Sequence, residues 1–120
     1  MYTVMRFMCA TAEPSALERI GGEMNVVRPG SFQGMRQRGD GFSIDVSAAA
    51  SWSEHRRAIE DLLAAFAPHI AAAFKVGGSV SVDVAVEPED HEHASRGLML
   101  DAALLRLLTS HGVQFEVTVY

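Results

Sequence analysis

The stretch that decides the fold is "SVSVDVAV", residues 79–86. Valine occupies every second position, and serine, aspartate or alanine occupies the positions between. An alternation of period two is typical of a β-strand with one buried and one solvated face. The segment therefore predicts a strand in a sheet that helices cover on one side only.

Three further segments predict the other clear strands, and the alternation is present in three of the four. They are "YTVMRFMC" at 2–9, "GFSIDVS" at 41–47 and "VQFEVTVY" at 113–120. Val26 and Val27 are candidates for one more short strand, but Pro29 and three glycines follow them. For residues 24–40 the sequence therefore allows two alternatives, an edge strand or a long loop.

Helical spacing of apolar residues predicts three helices. Pro14 suits the first turn of the first helix, and Gly21 suits the left-handed position at its end. Ser51 and Glu54 form a capping box at the start of the longest helix. The three helical segments are "AEPSALERIGG" at 12–22, residues 52–75 with a break near Pro68, and "LDAALLRLLTSHG" at 100–112.

This order of elements predicts a single α+β domain over residues 1–120. The helices should lie on one face of a mostly antiparallel sheet, in a two-layer sandwich. When the candidate strand at Val26 and Val27 is counted, the first six elements match the ferredoxin-like βαββαβ plan, extended by a C-terminal helix and strand. The predicted core consists of Phe7, Phe42, Ile44, Ile59, Leu62, Phe66, Val82, Val84, Leu105, Leu108, Phe115 and Val117.

Composition restricts the cellular setting and the partners. The 120 residues are 48% hydrophobic, as in an ordinary globular protein. A single cysteine, Cys9, excludes an intramolecular disulfide. No signal peptide and no apolar run of membrane-spanning length is visible, so we expect a cytoplasmic protein without membrane contact. The net charge of −5 argues against a nucleic-acid partner and permits a protein partner with a basic surface.

Three stretches together resemble the bacterial domain of unknown function 4279 family. They are the helix at Glu13 and Pro14 that leads into "MRQRGDGFSI" (35–44), "SWSEHRRAIEDLLAAF" (51–66), and "LLRLLTSHGVQFEVTVY" (104–120). The resemblance extends over nearly the whole chain. It implies an α+β fold and a small stand-alone bacterial protein, and it carries over no catalytic residue.

Histidines are the first candidates for chemistry. His91 and His93 lie in "EPEDHEHASRG", residues 87–97, and could be metal ligands, a pH switch or part of a solvated loop. A zinc site needs three or four ligands, and the surrounding composition is that of a loop, so we predict no metal and no cofactor. His55 falls near the buried face of the long helix, either as a hydrogen-bonded structural residue or as a general base.

The second candidate is the solvated face of the sheet. Arg6, Asp45, Asp83 and Glu116 each alternate with the apolar residues of their strand, so they should share this face. They are either exposed polar pairs or an acidic platform for a partner, and dimerisation through the same face is a further alternative.

The sequence therefore favours a non-catalytic binding or accessory module of the immunity type. One alternative is a regulatory domain that binds a small molecule. The other is an enzyme that uses His55 or the pair His91 and His93.

Overall fold

The computed structural model describes residues 1–87 and 98–120. Within these ranges the chain forms four strands and four helices. In chain order they are β1 (Tyr2–Met8), α1 (Pro14–Val27), β2 (Gly41–Ser47), α2 (Trp52–Ala65), α3 (Ala67–Lys75), β3 (Ser79–Val86), α4 (Ala102–Ser110) and β4 (Gln114–Val119).

The strands form one mostly antiparallel sheet, as predicted, in the order β2-β1-β3-β4. The central strand β1 is antiparallel to both β2 and β3, and β4 is parallel to β3. Strands β2 and β3 are therefore parallel to each other, with β1 inserted between them. The strand considered at Val26 and Val27 is not formed, and residues 28–40 contain only turns and irregular backbone. The complete ferredoxin-like order is not confirmed.

Helix α1 is longer than predicted, because Gly21 does not end it. The helix continues through Gly21 to Val27. The missing side chain of Gly21 makes room for the ring of Phe32, since a Cβ atom there would lie 2.6 Å from Cε2 of that ring. Gly21 is thus required for packing and not for a cap, and Val26 and Val27 are exposed on the last turn.

The long helical segment is divided where the proline predicts. Helix α2 ends at Ala65 and α3 begins at Ala67, with Pro68 in the first turn of α3. The hydroxyl of Ser51 accepts a hydrogen bond from the N–H of Glu54 at the start of α2, as expected for an N-cap.

The hydrophobic core lies between the helices and one face of the sheet. Two aromatic rings from neighbouring strands, Phe7 and Phe42, stack with their centroids 4.8 Å apart. The ring of Phe32 packs edge-on against Phe42, with the two centroids 4.9 Å apart. The buried cluster contains residues from all four helices together with β1, β2 and β3. The opposite face of the sheet carries no described helix.

Three of the predicted core residues are not fully buried. Leu105 is 46% exposed, because the sheet-facing positions of α4 are Leu104 and Leu108. Val117 is 40% exposed and Phe115 is half-buried, because β3 is the one strand within residues 1–87 and 98–120 that lies beside β4. None of the helices in the described ranges combines the length and apolarity needed to cross a membrane.

Candidate functional site

The sheet face turned away from the helices, which we call the open face, carries a continuous row of residues. In the strand register, Val4 lies opposite Asp45 on one side and opposite Asp83 on the other, and Asp83 lies opposite Glu116. Opposed residues of paired strands share a face. The acidic row Asp45–Val4–Asp83–Glu116 therefore crosses the whole sheet. Its ends are roughly 14 Å apart, since neighbouring strands are separated by about 4.8 Å.

Arg6 lies in the next row of the open face. It is opposite Ser43 on β2 and Ser81 on β3, and Ser81 is in turn opposite Gln114. All four sheet-face residues singled out from the sequence are thus on one surface. The residues opposite Arg6 on both sides are uncharged serines.

Asp83 is the centre of a hydrogen-bonded cluster. One carboxylate oxygen, Oδ2, accepts a hydrogen bond from Nη1 of Arg6 at 2.6 Å. The other, Oδ1, accepts one from the hydroxyl of Thr118 at 2.9 Å. The cluster joins β1, β3 and β4 through a single carboxylate.

Asp83 is only 3% exposed, although alternation along the strand predicts a solvated residue. The reason is its position in an inner strand, where the neighbouring open-face residues Val4 and Ala85 are buried as well. Asp83 is therefore a structural residue of the open face, and its charge is compensated by Arg6.

The two ends of the acidic row, Asp45 and Glu116, differ from Asp83 in their exposure to solvent. Asp45 lies on the edge strand β2 and Glu116 on the edge strand β4, and both are exposed. Within the described part of the chain, neither carboxylate makes a hydrogen bond or an ion pair. Asp45 and Glu116 are therefore the two exposed carboxylates of the acidic row, whereas Asp83 is buried and compensated by Arg6.

Asp45 lies between two hollows at the β2 edge. The register moves by one residue between the pairs Val4–Asp45 and Thr3–Ser47, so Val46 is an extra residue in β2. Such a β-bulge bends an edge strand. One hollow of about 460 Å³ is lined by Tyr2, Asp45, Val46, Ser47 and Ala48. A second, of about 300 Å³, is lined by Arg28, Pro29, Gly30, Ser31, Gln33, Ser43, Ile44 and Asp45.

His55 is fully buried on α2, and both ring nitrogens are hydrogen-bonded. Nε2 lies 2.7 Å from the carbonyl oxygen of Ala49, which can only accept, so Nε2 carries a proton. In the neutral ring Nδ1 then accepts a hydrogen bond from the hydroxyl of Thr3 at 2.8 Å. This geometry joins the start of α2 to β1, and it leaves neither nitrogen free for a substrate.

His91 and His93 lie outside the described residues, so the expectation of a solvated loop without metal stays a prediction. In residues 1–87 and 98–120 no group of three or more histidine, cysteine, aspartate or glutamate side chains could hold a metal ion. His91 and His93 are therefore candidate functional residues on the basis of the sequence alone.

Cys9 has the environment of an unreactive thiol. Its sulfur lies 3.5 Å from the carbonyl oxygen of Gly39. Burial raises the pKa of the Cys9 thiol, and the carboxylates of Asp40 and Glu13 raise it further. Since the thiolate is the nucleophilic form, the raised pKa disfavours a catalytic role.

One polar cluster was not visible in the sequence. Arg56 of α2 binds both carboxylate oxygens of Asp101, with Nη1–Oδ2 and Nη2–Oδ1 distances of 2.5 and 3.0 Å. Asp101 also caps α4 by accepting from the N–H of Leu104 at 2.9 Å. The hydrogen bonds from Arg56 and then from Leu104 lower the pKa of Asp101. The capping role of Asp101 can be predicted from the residues that follow it in sequence. Its ion pair with Arg56 cannot, because the two residues are 45 positions apart.

Comparisons of the chain with protein families, curated proteins and solved structures found no match.

Proposed function

We propose that this protein is a non-catalytic accessory module, of the immunity type, that uses the open face to bind a protein with a basic surface. The observation that carries the proposal is the acidic row, whose two ends are exposed and unpaired among the described residues. A carboxylate without a partner in its own chain can pair with a cation on another molecule at a small free-energy cost, because no internal ion pair has to be broken. The net charge of −5 adds attraction at longer range.

The hollow beside Asp45 supports an arginine as the group recognised there. It combines the carboxylate of Asp45 with the exposed ring of Tyr2, in a volume of about 460 Å³. A guanidinium group binds carboxylates through paired hydrogen bonds and stacks on aromatic rings. Lysine offers a single strongly hydrated charge and would use only part of this surface.

The alternative functions have less support. A small-molecule site is usually an enclosed, mostly apolar cavity, whereas both hollows beside Asp45 open to solvent. Catalysis by His55 would require a ring nitrogen that reaches a substrate, and both nitrogens are bonded inside the protein.

The relationships drawn from the sequence are also proposals. The insertion of β1 between β2 and β3, with α2 and α3 connecting them, supports a variant of the ferredoxin-like plan. The resemblance to the bacterial domain of unknown function 4279 family would place the protein in a bacterial cytoplasm.

Binding of a fluorescein-labelled oligoarginine peptide, followed by fluorescence anisotropy, tests the proposal. The double variant Asp45→Asn/Glu116→Gln removes both exposed carboxylates of the acidic row. We expect it to weaken binding about three- to tenfold, since each exposed contact contributes up to about 1 kcal/mol. The loss should be mainly in the association rate and should shrink as salt is added.

The matched control is Glu18→Gln/Glu23→Gln, which changes the net charge equally on the exposed side of α1. It should weaken binding by less than about twofold, because distant exposed charges are screened. Equal losses in the two double variants would mean that net charge, and not the open face, attracts the peptide. A peptide that fails to bind even at low ionic strength would also overturn the proposal.

A further inference from the structure

Strand β4 is more exposed than the other strands described. Among the strands that the structure describes, it forms one edge of the sheet and pairs with β3 alone. Val117 and Val119 point to the helix side of the sheet, yet they are 40% and 65% exposed. An exposed edge strand with apolar side chains on one face is a template for pairing with another strand.

The backbone groups at the free edge of β4 belong to alternate residues. The N–H of Tyr120 donates to the carbonyl of Val86, so this residue is turned towards β3. Along a strand the hydrogen-bonding direction alternates from one residue to the next. Phe115, Val117 and Val119 therefore direct their N–H and C=O groups to the outer edge, where no described strand lies.

These groups are self-complementary under a two-fold axis at Val117. If β4 of a second copy runs antiparallel with Val117 opposite Val117, then Phe115 lies opposite Val119 of that copy. All three residues then exchange both backbone hydrogen bonds with their opposites. On the helix side the pairs are apolar, and on the open face Glu116 meets Thr118, so no like charges are opposed.

The neighbouring register with its axis at Glu116 is disfavoured by charge. A two-fold axis at Glu116 would place two carboxylates directly opposite each other, which destabilises a strand pair. It would also separate Phe115 from Val119 and bring it against Val117. Charge thus disfavours the axis at Glu116, whereas the axis at Val117 pairs the three outward-directed residues, Phe115, Val117 and Val119, with one another.

We infer that two copies of this chain pair through β4 in an antiparallel manner, with Val117 on the two-fold axis, to form one continuous sheet. The helices of both copies then lie on the same side. Leu105 is exposed on α4, the helix that packs on β4, and is available to add apolar contact. An edge strand buries less than the roughly 1,200–2,000 Å² of a stable interface, so we expect a reversible dimer with a Kd in the micromolar range.

Sedimentation velocity of the full chain, from about 1 to 500 μM to bracket such a Kd, tests the pairing. We expect the mass to rise from monomer to dimer over this range. Val119→Lys should weaken the dimer at least about tenfold, because it buries a charge against Phe115 of the second copy. Val26→Lys makes the same change at an 83% exposed position of α1 and should leave the dimer intact.

Disulfide trapping tests the register separately. In a Cys9→Ala background, Val117→Cys places two sulfurs opposite each other and should form a covalent dimer on oxidation. Glu116→Cys is the control, since it would face Thr118 and should crosslink far more slowly. A wild-type protein that stays monomeric throughout, or a dimer that Val119→Lys leaves unchanged, would overturn the inference. A dimer in which Glu116→Cys crosslinks faster than Val117→Cys would overturn the register.

Discussion

Replacing Asp83 by asparagine should lower the free energy of unfolding by about 1.5–3 kcal/mol. The buried carboxylate accepts hydrogen bonds from Arg6 at 2.6 Å and from Thr118 at 2.9 Å. A hydrogen bond to a charged group contributes about 1.5–3 kcal/mol. The loss should stay below the roughly 3–5 kcal/mol of a fully buried ion pair, because the Arg6 side chain is 30% exposed and water solvates it again.

The matched control is Asp45→Asn, which makes the same chemical change in the same row. Asp45 is exposed and makes no hydrogen bond within the described part of the chain, so its replacement should change stability by less than about 0.5 kcal/mol. Urea denaturation can be followed through Trp52, the single tryptophan, whose ring packs edge-on against Phe115.

A double-mutant cycle separates the ion pair from other effects of the substitution. Arg6→Gln, Asp83→Asn and the double variant should give a coupling free energy of about 1–2 kcal/mol. If Asp83→Asn unfolds within about 0.5 kcal/mol of the wild type, the pair contributes no more than an exposed one and our reasoning about its burial is wrong. A coupling near zero with a large single-variant loss would assign the effect to Thr118.

Three further outcomes are expected from urea denaturation. Gly21→Ala should destabilise by about 1–3 kcal/mol because its methyl group meets an aromatic ring, whereas Gly22→Ala, with open space around it, should stabilise by up to about 1 kcal/mol. Thr3→Val should cost about 1–3 kcal/mol by leaving Nδ1 of buried His55 without a donor, and Thr3→Ser should restore most of it. The pKa of Asp101 is lower in the folded than in the unfolded chain, so its stabilisation is present above the ordinary value of 3.8 and is lost as pH falls through the folded value. Asp101→Asn should therefore be less stable at neutral pH and lose less stability on acidification, and equal losses in both proteins would contradict this.

The strands could be predicted because their alternation follows from backbone geometry. Side chains of a strand point to opposite faces in turn, so alternation alone assigns the valines of β3 and the residues between them to the correct sides of the sheet. Burial on the open face was not predictable in the same way. The burial of an open-face residue depends on whether its strand is central or at an edge. The alternation within β3 does not show that this strand has a neighbour on both sides.

The end of α1 illustrates a second limit of sequence reasoning. Glycine ends many helices because it adopts a left-handed conformation, but it also allows another side chain to approach the helix closely. At Gly21 the approaching group is Phe32, beyond the end of the helix. The two roles look identical in the sequence and differ only in the tertiary contact. The bond between Arg56 and Asp101 is hidden for the same reason.

Ionic strength should affect the two proposed interactions in opposite directions. With Val117 on the two-fold axis, the Glu116 carboxylates of the two copies are diagonal neighbours, with their Cα atoms about 7–8 Å apart on the open face. They repel each other, and each copy carries a net charge of −5, so added salt should strengthen the dimer a few-fold by screening. Binding of a basic peptide to the same carboxylates should weaken under the same conditions. Glu116→Gln should abolish most of the salt dependence of dimerisation while also weakening peptide binding. If salt weakens both interactions, the two Glu116 carboxylates do not lie diagonally across the axis.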